Sequence, residues 1–251
     1  MSENPDRSAG ASLEAPAKGH GSRVFIAGMV LLTTVFLALG TWQVQRLFWK
    51  LDLIERVEAR VNAPAVPTPA EADWPSFKPD EQEYRHVTAS GRLLHDKETL
   101  VQAVTERGAG FWVVTPLAEA DGTTILINRG FVPSERRDPA TRAEGQTPGD
   151  VTITGLLRLT EPGGAFLRSN DPAGNRWYSR DITAIAKVRG LRRVAPYFID
   201  ADGTANPGGY PVGGLTVVHF RNSHLAYIFT WYALAVMTIV VTVALRRRRL
   251  V

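Results

Sequence analysis

The chain has 251 residues, no cysteine and a formal net charge of +4. The lack of Cys excludes thiolate catalysis, Cys-ligated zinc, iron-sulfur clusters, disulfides and a C-x-x-C-H haem attachment, so any metal chemistry falls to His, Asp, Glu or Met. The basic excess sits in Arg246-Arg247-Arg248-Arg249, while positions 46–223 hold 22 basic and 22 acidic residues, which leaves no basic stripe for a nucleic acid.

Residues 1–23 are rich in Gly, Ala, Ser and Pro and lack apolar periodicity, which predicts a disordered tail. Glu3, Asp6 and Glu14 in it argue against a mitochondrial transit peptide. From Val24 to Gln45, and again from Leu225 to Leu245, there is no charged residue. Each stretch gives about 21 positions, enough to cross a ~30 Å hydrocarbon core as helix. The expected spans are 24–45 and 224–245. The Arg246 to Arg249 cluster, with Arg23, Lys18 and Arg7 before the first span, assigns both termini to the cytoplasm by the positive-inside rule. Residues 46–223 then form one extracytoplasmic domain, and 246–251 a basic cytoplasmic tail. The first span is too long for a signal-peptide core and no Ala-x-Ala pattern follows it, so it reads as an uncleaved anchor.

The helical pattern continues past the first span through Leu47, Leu51, Ile54, Val57 and Val61. Pro64, Pro67, Pro69, Pro75 and Pro79 then predict a stiff extended linker over 63–79. Strand-like runs follow at Arg85 to Leu94, Thr99 to Val104, Gly110 to Leu117, Thr123 to Val132, Val151 to Leu159, Pro196 to Ile199 and Leu215 to Phe220. Asp121-Gly122 is the best hairpin signal among them. Charged and bracketed by prolines, Glu135 to Asp150 reads as a surface loop. One helix interrupts the strands, with Asp181 as its cap, Ile182, Ile185 and Val188 as its apolar face and Gly190 as its stop. The fold class is therefore membrane α+β, with two transmembrane helices flanking a mainly antiparallel β extracytoplasmic domain.

Candidate chemistry collects at the outer ends of the spans. Trp42, Gln43, Arg46, Trp49 and Lys50 belong to the first helix, and Arg221, Asn222, His224, Tyr227 and Trp231 to the second. Helical spacing puts Trp42, Arg46 and Trp49 on one face, and His224, Tyr227 and Trp231 on another. An aromatic belt with snorkelling cations, plus an Asn222 or Ser223 cap, accounts for these residues without a ligand. A tetrapyrrole site is the sharper but, on spacing alone, the less favoured account: an imidazole at a helix start ligates iron, aromatics stack on the macrocycle, and Arg46, Lys50 or Arg221 pairs with propionates. His86, His95 and His219 are isolated in strand or turn context and read as surface or partner residues. Asp200-Ala201-Asp202-Gly203 lacks the later ligands of a calcium loop and reads as a turn, as does Asp171-Pro172-Ala173-Gly174-Asn175. Neither a G-x-S-x-G elbow, an H-E-x-x-H pair, a Walker A loop nor a G-x-G-x-x-G turn occurs.

The order of several motifs resembles the Surfeit-one family. They are Leu39-Gly40-Thr41-Trp42-Gln43 with Arg46 and Trp49-Lys50, Gly110-Phe111-Trp112-Val113-Val114-Thr115-Pro116-Leu117, and Ile127-Asn128-Arg129-Gly130-Phe131-Val132-Pro133. Asn175-Arg176-Trp177 with Asp181-Ile182, and Asn222-Ser223-His224-Leu225-Ala226-Tyr227 with Thr230-Trp231, complete the set. The family often has Trp at Phe131 and Asn at Ser223. The resemblance implies a non-enzymatic assembly factor for cytochrome c oxidase in the cell inner membrane, with a periplasmic domain, that assists insertion of haem a into the catalytic subunit. It implies haem a as cofactor with His224 as iron ligand and Trp42, Arg46, Trp49, Tyr227 and Trp231 around it. The implied partners are that catalytic subunit, haem a synthase and the lipid bilayer. It also casts Asn128-Arg129-Gly130 as a structural or partner-facing turn. Two other readings stand beside it: a haem-free scaffold holding oxidase intermediates, and a membrane enzyme using His and Asp of the outer domain.

Overall fold

The structure is a computed structural model that describes residues 20–165, 167–216, 218 and 222–248. In chain order its elements are α1 (His20–Val61), β1 (Val66–Pro67), α2 (Pro79–Gln82), β2 (His86–Leu93), β3 (Thr99–Thr105), β4 (Gly108–Ala118), β5 (Thr124–Pro133), β6 (Asp150–Leu159), β7 (Gly164–Ala165), β8 (Arg168–Ser169), α3 (Ile182–Arg189), β9 (Val194–Ala201) and α4 (His224–Arg248). Two compact units divide it: α1 as far as Asp52 together with α4, and the stretch Leu53–Phe220.

The helices from Arg23 to Val61 and from His224 to Arg248 are long and apolar enough to cross a membrane. The helix α1 begins at His20, before the expected Val24, and runs unbroken to Val61. The Arg246 to Arg248 residues, expected as a tail, continue α4 for another turn, because nothing after Leu245 breaks a helix. His219, Arg221 and Arg249 lie outside the described residues.

The second unit is built on one seven-stranded sheet in the order β1-β2-β6-β9-β5-β4-β3. A further pairing of β2 with β4, through Arg92 opposite Ala118 and Leu93 opposite Leu117, closes β2, β6, β9, β5 and β4 into a ring. Closure removes the edges of those five strands. The pairings are antiparallel except β1 with β2 and β5 with β9. Inside, Val87, Leu93, Leu117, Ile125, Ile127, Leu157, Tyr197 and Ile199 pack as one buried cluster. Register explains why they meet: Leu117 stands opposite Ile125, and Ile127 and Leu157 flank Ile199 on either side. On the other face Val101, Val114, Leu126, Trp177 and Phe198 pack under Ile182 and Ile185 of α3. Strand β5 is thus covered on both faces, which is why its residues read as a continuous run rather than an alternation.

The capping signals of α3 operate as the sequence predicts. The Asp181 carboxylate accepts from the Ala184 amide at 3.0 Å, and Gly190 takes a left-handed conformation. Val188, expected on the buried face, is 42% exposed. The Asp121-Gly122 hairpin joins β4 to β5, with Asp121 accepting from the Thr123 amide at 2.8 Å.

Four expectations need correction. The 63–79 segment is no bare linker: Val66–Pro67 pairs with β2, and Glu71–Ser76 forms a 3-10 helix. Its aromatics drive this, since Trp74 and Phe77 pack on the inner cluster, Phe77 stacks on Tyr197 at 5.5 Å, and the Tyr197 hydroxyl donates to Pro69 O at 2.8 Å. Within Glu135 to Asp150, Pro139–Gly145 is a 3-10 helix that buries Arg142 against Glu98. Asn128, Arg129 and Gly130 are not a turn but the middle of β5. Gly130 takes a φ of 127° and would place a Cβ 2.1 Å from Val212 O, so only a residue without a side chain lets Val212 pair there. Leu215, Thr216 and Val218 form no strand, and the rest of that run lies outside the described residues.

Candidate functional site

The hairpin unit places most of the nominated residues. Along α1, Thr33, Phe36, Gly40, Gln43 and Leu47 recur every three or four positions and make one stripe. That stripe meets α4 in antiparallel order: Thr33 Oγ1 lies 2.7 Å from Thr238 Oγ1, Phe36 stacks on Trp231 at 5.9 Å, and Thr41 Oγ1 is 3.3 Å from the Tyr232 hydroxyl. At Gly40 an added Cβ would sit 2.9 Å from the Tyr232 ring. A small residue there lets the backbones approach, and the threonines add polar contacts between the two helices.

At the end of this stripe the His224 ring meets α1 through Gln43, with Nδ1 2.7 Å from Oε1. Gln43 is only 9% exposed. The His224 amide donates to Asn222 Oδ1 at 3.3 Å, so backbone and ring are each held once. Among the described residues His224 Nε2 has no hydrogen-bond partner.

The Trp42, Arg46 and Trp49 face goes elsewhere. At about 100° per residue these three lie roughly 60 to 120° round the helix from Gln43. Trp42 and Trp49 are 49% and 53% exposed. The Arg46 guanidinium sits 5.8 Å from the Trp42 ring centroid and 5.0 Å from that of Trp49, within cation-π range. Tyr227 is exposed, one turn along α4 from His224, and the buried Trp231 indole nitrogen has no partner among the described residues. The hairpin therefore brings His224 to Gln43 and does not bring it to the Trp42, Arg46 and Trp49 face.

In the β unit the two described histidines serve backbone groups: His86 Nδ1 lies 2.9 Å from Ala63 O and His95 Nε2 3.1 Å from Thr147 O. Burial pushes the His95 pKa below its ordinary value. No group of three or more His, Asp or Glu able to hold a metal occurs among the described residues. Asp200, expected in a turn, is the penultimate residue of β9 and is 2% exposed. It accepts from Asn128 Nδ2 at 2.7 Å, Arg180 Nη1 at 2.8 Å and Arg158 Nη1 at 3.0 Å. Arg180 also grips Glu161. Burial alone would raise the Glu161 carboxyl, but the Arg180 hydrogen bonds and charge hold it below the usual carboxylate range. Next to Asn128 in β5, Arg129 donates to Gly145 O and Asn206 Oδ1. Burial brings its pKa down to about 10 despite the nearby Glu98.

The SURF1 family model matches residues 30–236. The chain belongs to the SURF1 family. Surfeit locus protein 1 of Homo sapiens is 40% identical over 252 residues, which cover 93% of this chain and 82% of the relative. That of Xenopus tropicalis is 42% identical over 228 residues, 84% of this chain and 72% of the relative. A SURF1-like protein of Caenorhabditis elegans is 35% identical over 261 residues, 94% of this chain and 78% of the relative.

The match takes in every nominated residue of this SURF1-family chain from Trp42 to Trp231. Gln43 is the residue that sequence reasoning undervalued, counted in the boundary cluster but not joined to His224. The signal was its spacing of three and seven from Gly40 and Phe36, which marks the packed face. No comparable signal pointed to Asp200, whose three donors come from β5, β6 and the segment before α3.

Proposed function

We propose that this SURF1-family chain is a membrane-anchored assembly factor for cytochrome c oxidase that receives haem a at His224 and assists its insertion into the catalytic subunit. Both apolar helices span the cell inner membrane, the Arg246 to Arg249 cluster holds the termini in the cytoplasm, and the β unit lies in the periplasm. Haem a synthase is the fitting donor, since it makes the group within the same bilayer.

The observation that carries the reading is the His224 ring, with Nδ1 held at 2.7 Å by Gln43 and Nε2 without a partner among the described residues. An imidazole with one nitrogen anchored and the other open has the chemistry of an axial ligand. When bound, the haem supplies an iron that accepts this nitrogen and propionates that seek cations. His224 would hold the iron, and Tyr227, one turn on, would flank it. His224 fits the group; Trp42, Arg46 and Trp49 fit it less well, because they leave α1 on another side. The test is the haem a spectrum of the protein purified from haem a-producing cells, which His224→Ala should abolish. An unchanged spectrum would remove His224 as ligand. A deletion strain with fully active, haem-replete oxidase would remove the assembly role.

The exposed Trp42, Arg46 and Trp49 face favours a second reading, a haem-free scaffold for oxidase intermediates. It expects an oxidase subunit to co-purify equally well with His224→Ala.

A further inference from the structure

We infer that Gln43 is the positioning residue for His224, fixing the ring as the tautomer that carries its proton on Nδ1 and leaves Nε2 as the basic nitrogen. The inference deepens the haem reading and rests on it for the identity of the ligand, though the tautomer itself does not depend on haem.

The chemistry follows from the contact. Gln43 Oε1 is an acceptor only, and it lies 2.7 Å from Nδ1, so the hydrogen between them belongs to the ring. A neutral imidazole has one N–H, so Nε2 is left with its lone pair. Free in water the other tautomer is preferred, so this one needs a partner to hold it. Gln43 is suited to the task because it does not swing freely: it is 9% exposed, on the packed stripe of α1, one turn after the Gly40 and Tyr232 contact. The Asn222 cap fixes the His224 backbone from the other side. Two restraints on one residue leave the ring few other aims. A second-shell acceptor of this kind also fixes the orientation of the ring that ligates.

The competing explanation is that the pair only fastens two membrane helices together. Such a fastener would change stability but not the electronic state of a bound iron. The full-length protein is therefore purified in detergent from haem a-producing cells as wild type, Gln43→Leu, Gln43→Glu and His224→Ala. Nitrogen NMR of histidine-labelled, haem-free protein, with the His224 signals assigned by His224→Ala, reads the tautomer directly. Wild type should show Nδ1 protonated and Nε2 bare, and Gln43→Leu should lose that bias. In loaded protein Gln43→Leu should weaken haem binding about 10- to 100-fold. Gln43→Glu, a stronger acceptor, should retain haem and lower its reduction potential. If wild type binds haem through His224 and both Gln43 variants keep its affinity and potential, the inference is overturned while the haem reading stands. If wild type carries haem that His224→Ala does not remove, the haem reading falls, and the tautomer measurement still decides the role of Gln43: a proton on Nε2 in wild type would overturn it. Should Gln43→Leu fail to fold, Gln43→Glu decides through the potential.

Discussion

Arg180 Nη1 donates to Asp200 Oδ1 at 2.8 Å, and the carboxylate that receives it is almost sealed from solvent. Because Arg158 takes the other oxygen at 3.0 Å, one buried anion serves two buried cations. Asp200→Ala removes the carboxylate the two guanidinium groups share, leaving Arg180 with Glu161 and Arg158 with Glu83, and donors that lose a buried partner in this way cost about 1 to 3 kcal/mol. Urea unfolding of the full chain, followed by tryptophan fluorescence, should show a loss of that size. A loss under about 1 kcal/mol would mean water reaches the arginines.

The Arg142 and Glu98 pair is buried on both sides. Glu98→Leu leaves Arg142 and the neighbouring Arg129 without a counter-charge, and Arg142→Leu leaves Glu98 with only the looser influence of Arg129 and Arg189, so each single change should destabilise by about 1 to 3 kcal/mol. Replacing both by Leu leaves only Arg129 without its counter-charge and should cost less than the sum. A double-mutant cycle by thermal unfolding reads the coupling, and strict additivity would contradict it.

Acid should weaken the β unit in two windows. The folded His95 pKa is depressed by burial, so below the ordinary 6.5 the unfolded chain takes up a proton that the folded chain refuses, and stability falls as pH drops through that value. Glu161, also depressed, contributes stability above its ordinary 4.5 that is lost as pH falls further. His95→Gln should flatten the first decline and leave the second. The unfolding midpoint across pH 7 to 3.5 is the measurement.

The hairpin can be trapped covalently, since the chain has no native Cys. Thr33 and Thr238 oxygens are 2.7 Å apart, so a Thr33→Cys, Thr238→Cys pair should oxidise readily to a disulfide. Adding Gly40→Leu, which drives a side chain into the Tyr232 ring, should slow that cross-linking severalfold. Equal rates would mean Gly40 does not set the approach.

Much of the β unit was legible because the strand-forming runs of β2 to β6 are bounded by turn residues, and α3 announces itself through Asp181 and Gly190. The Pro-rich 63–79 stretch misled, because prolines signal extension while the packing of Trp74 and Phe77 on the barrel is a tertiary event. Arg129 and Asp200 misled for the opposite reason: charge close to Gly130 or Gly203 reads as surface, and only partners distant in sequence make burial tolerable. At the candidate site the residue types were legible but not their meeting. A helix apolar on every side does not declare which face its neighbour will take. Trp42, Arg46 and Trp49 were the conspicuous face, whereas Gly40 and Gln43 were the packed one.

The central claim is that His224 Nε2 is an iron ligand. Its most direct measurement is the ratio of haem a to protein, by pyridine haemochrome, in wild type, His224→Ala, His86→Ala and His95→Ala purified from the same haem a-producing cells. The account predicts that His224→Ala alone falls to background. Haem retained in His224→Ala at the wild-type ratio would contradict it.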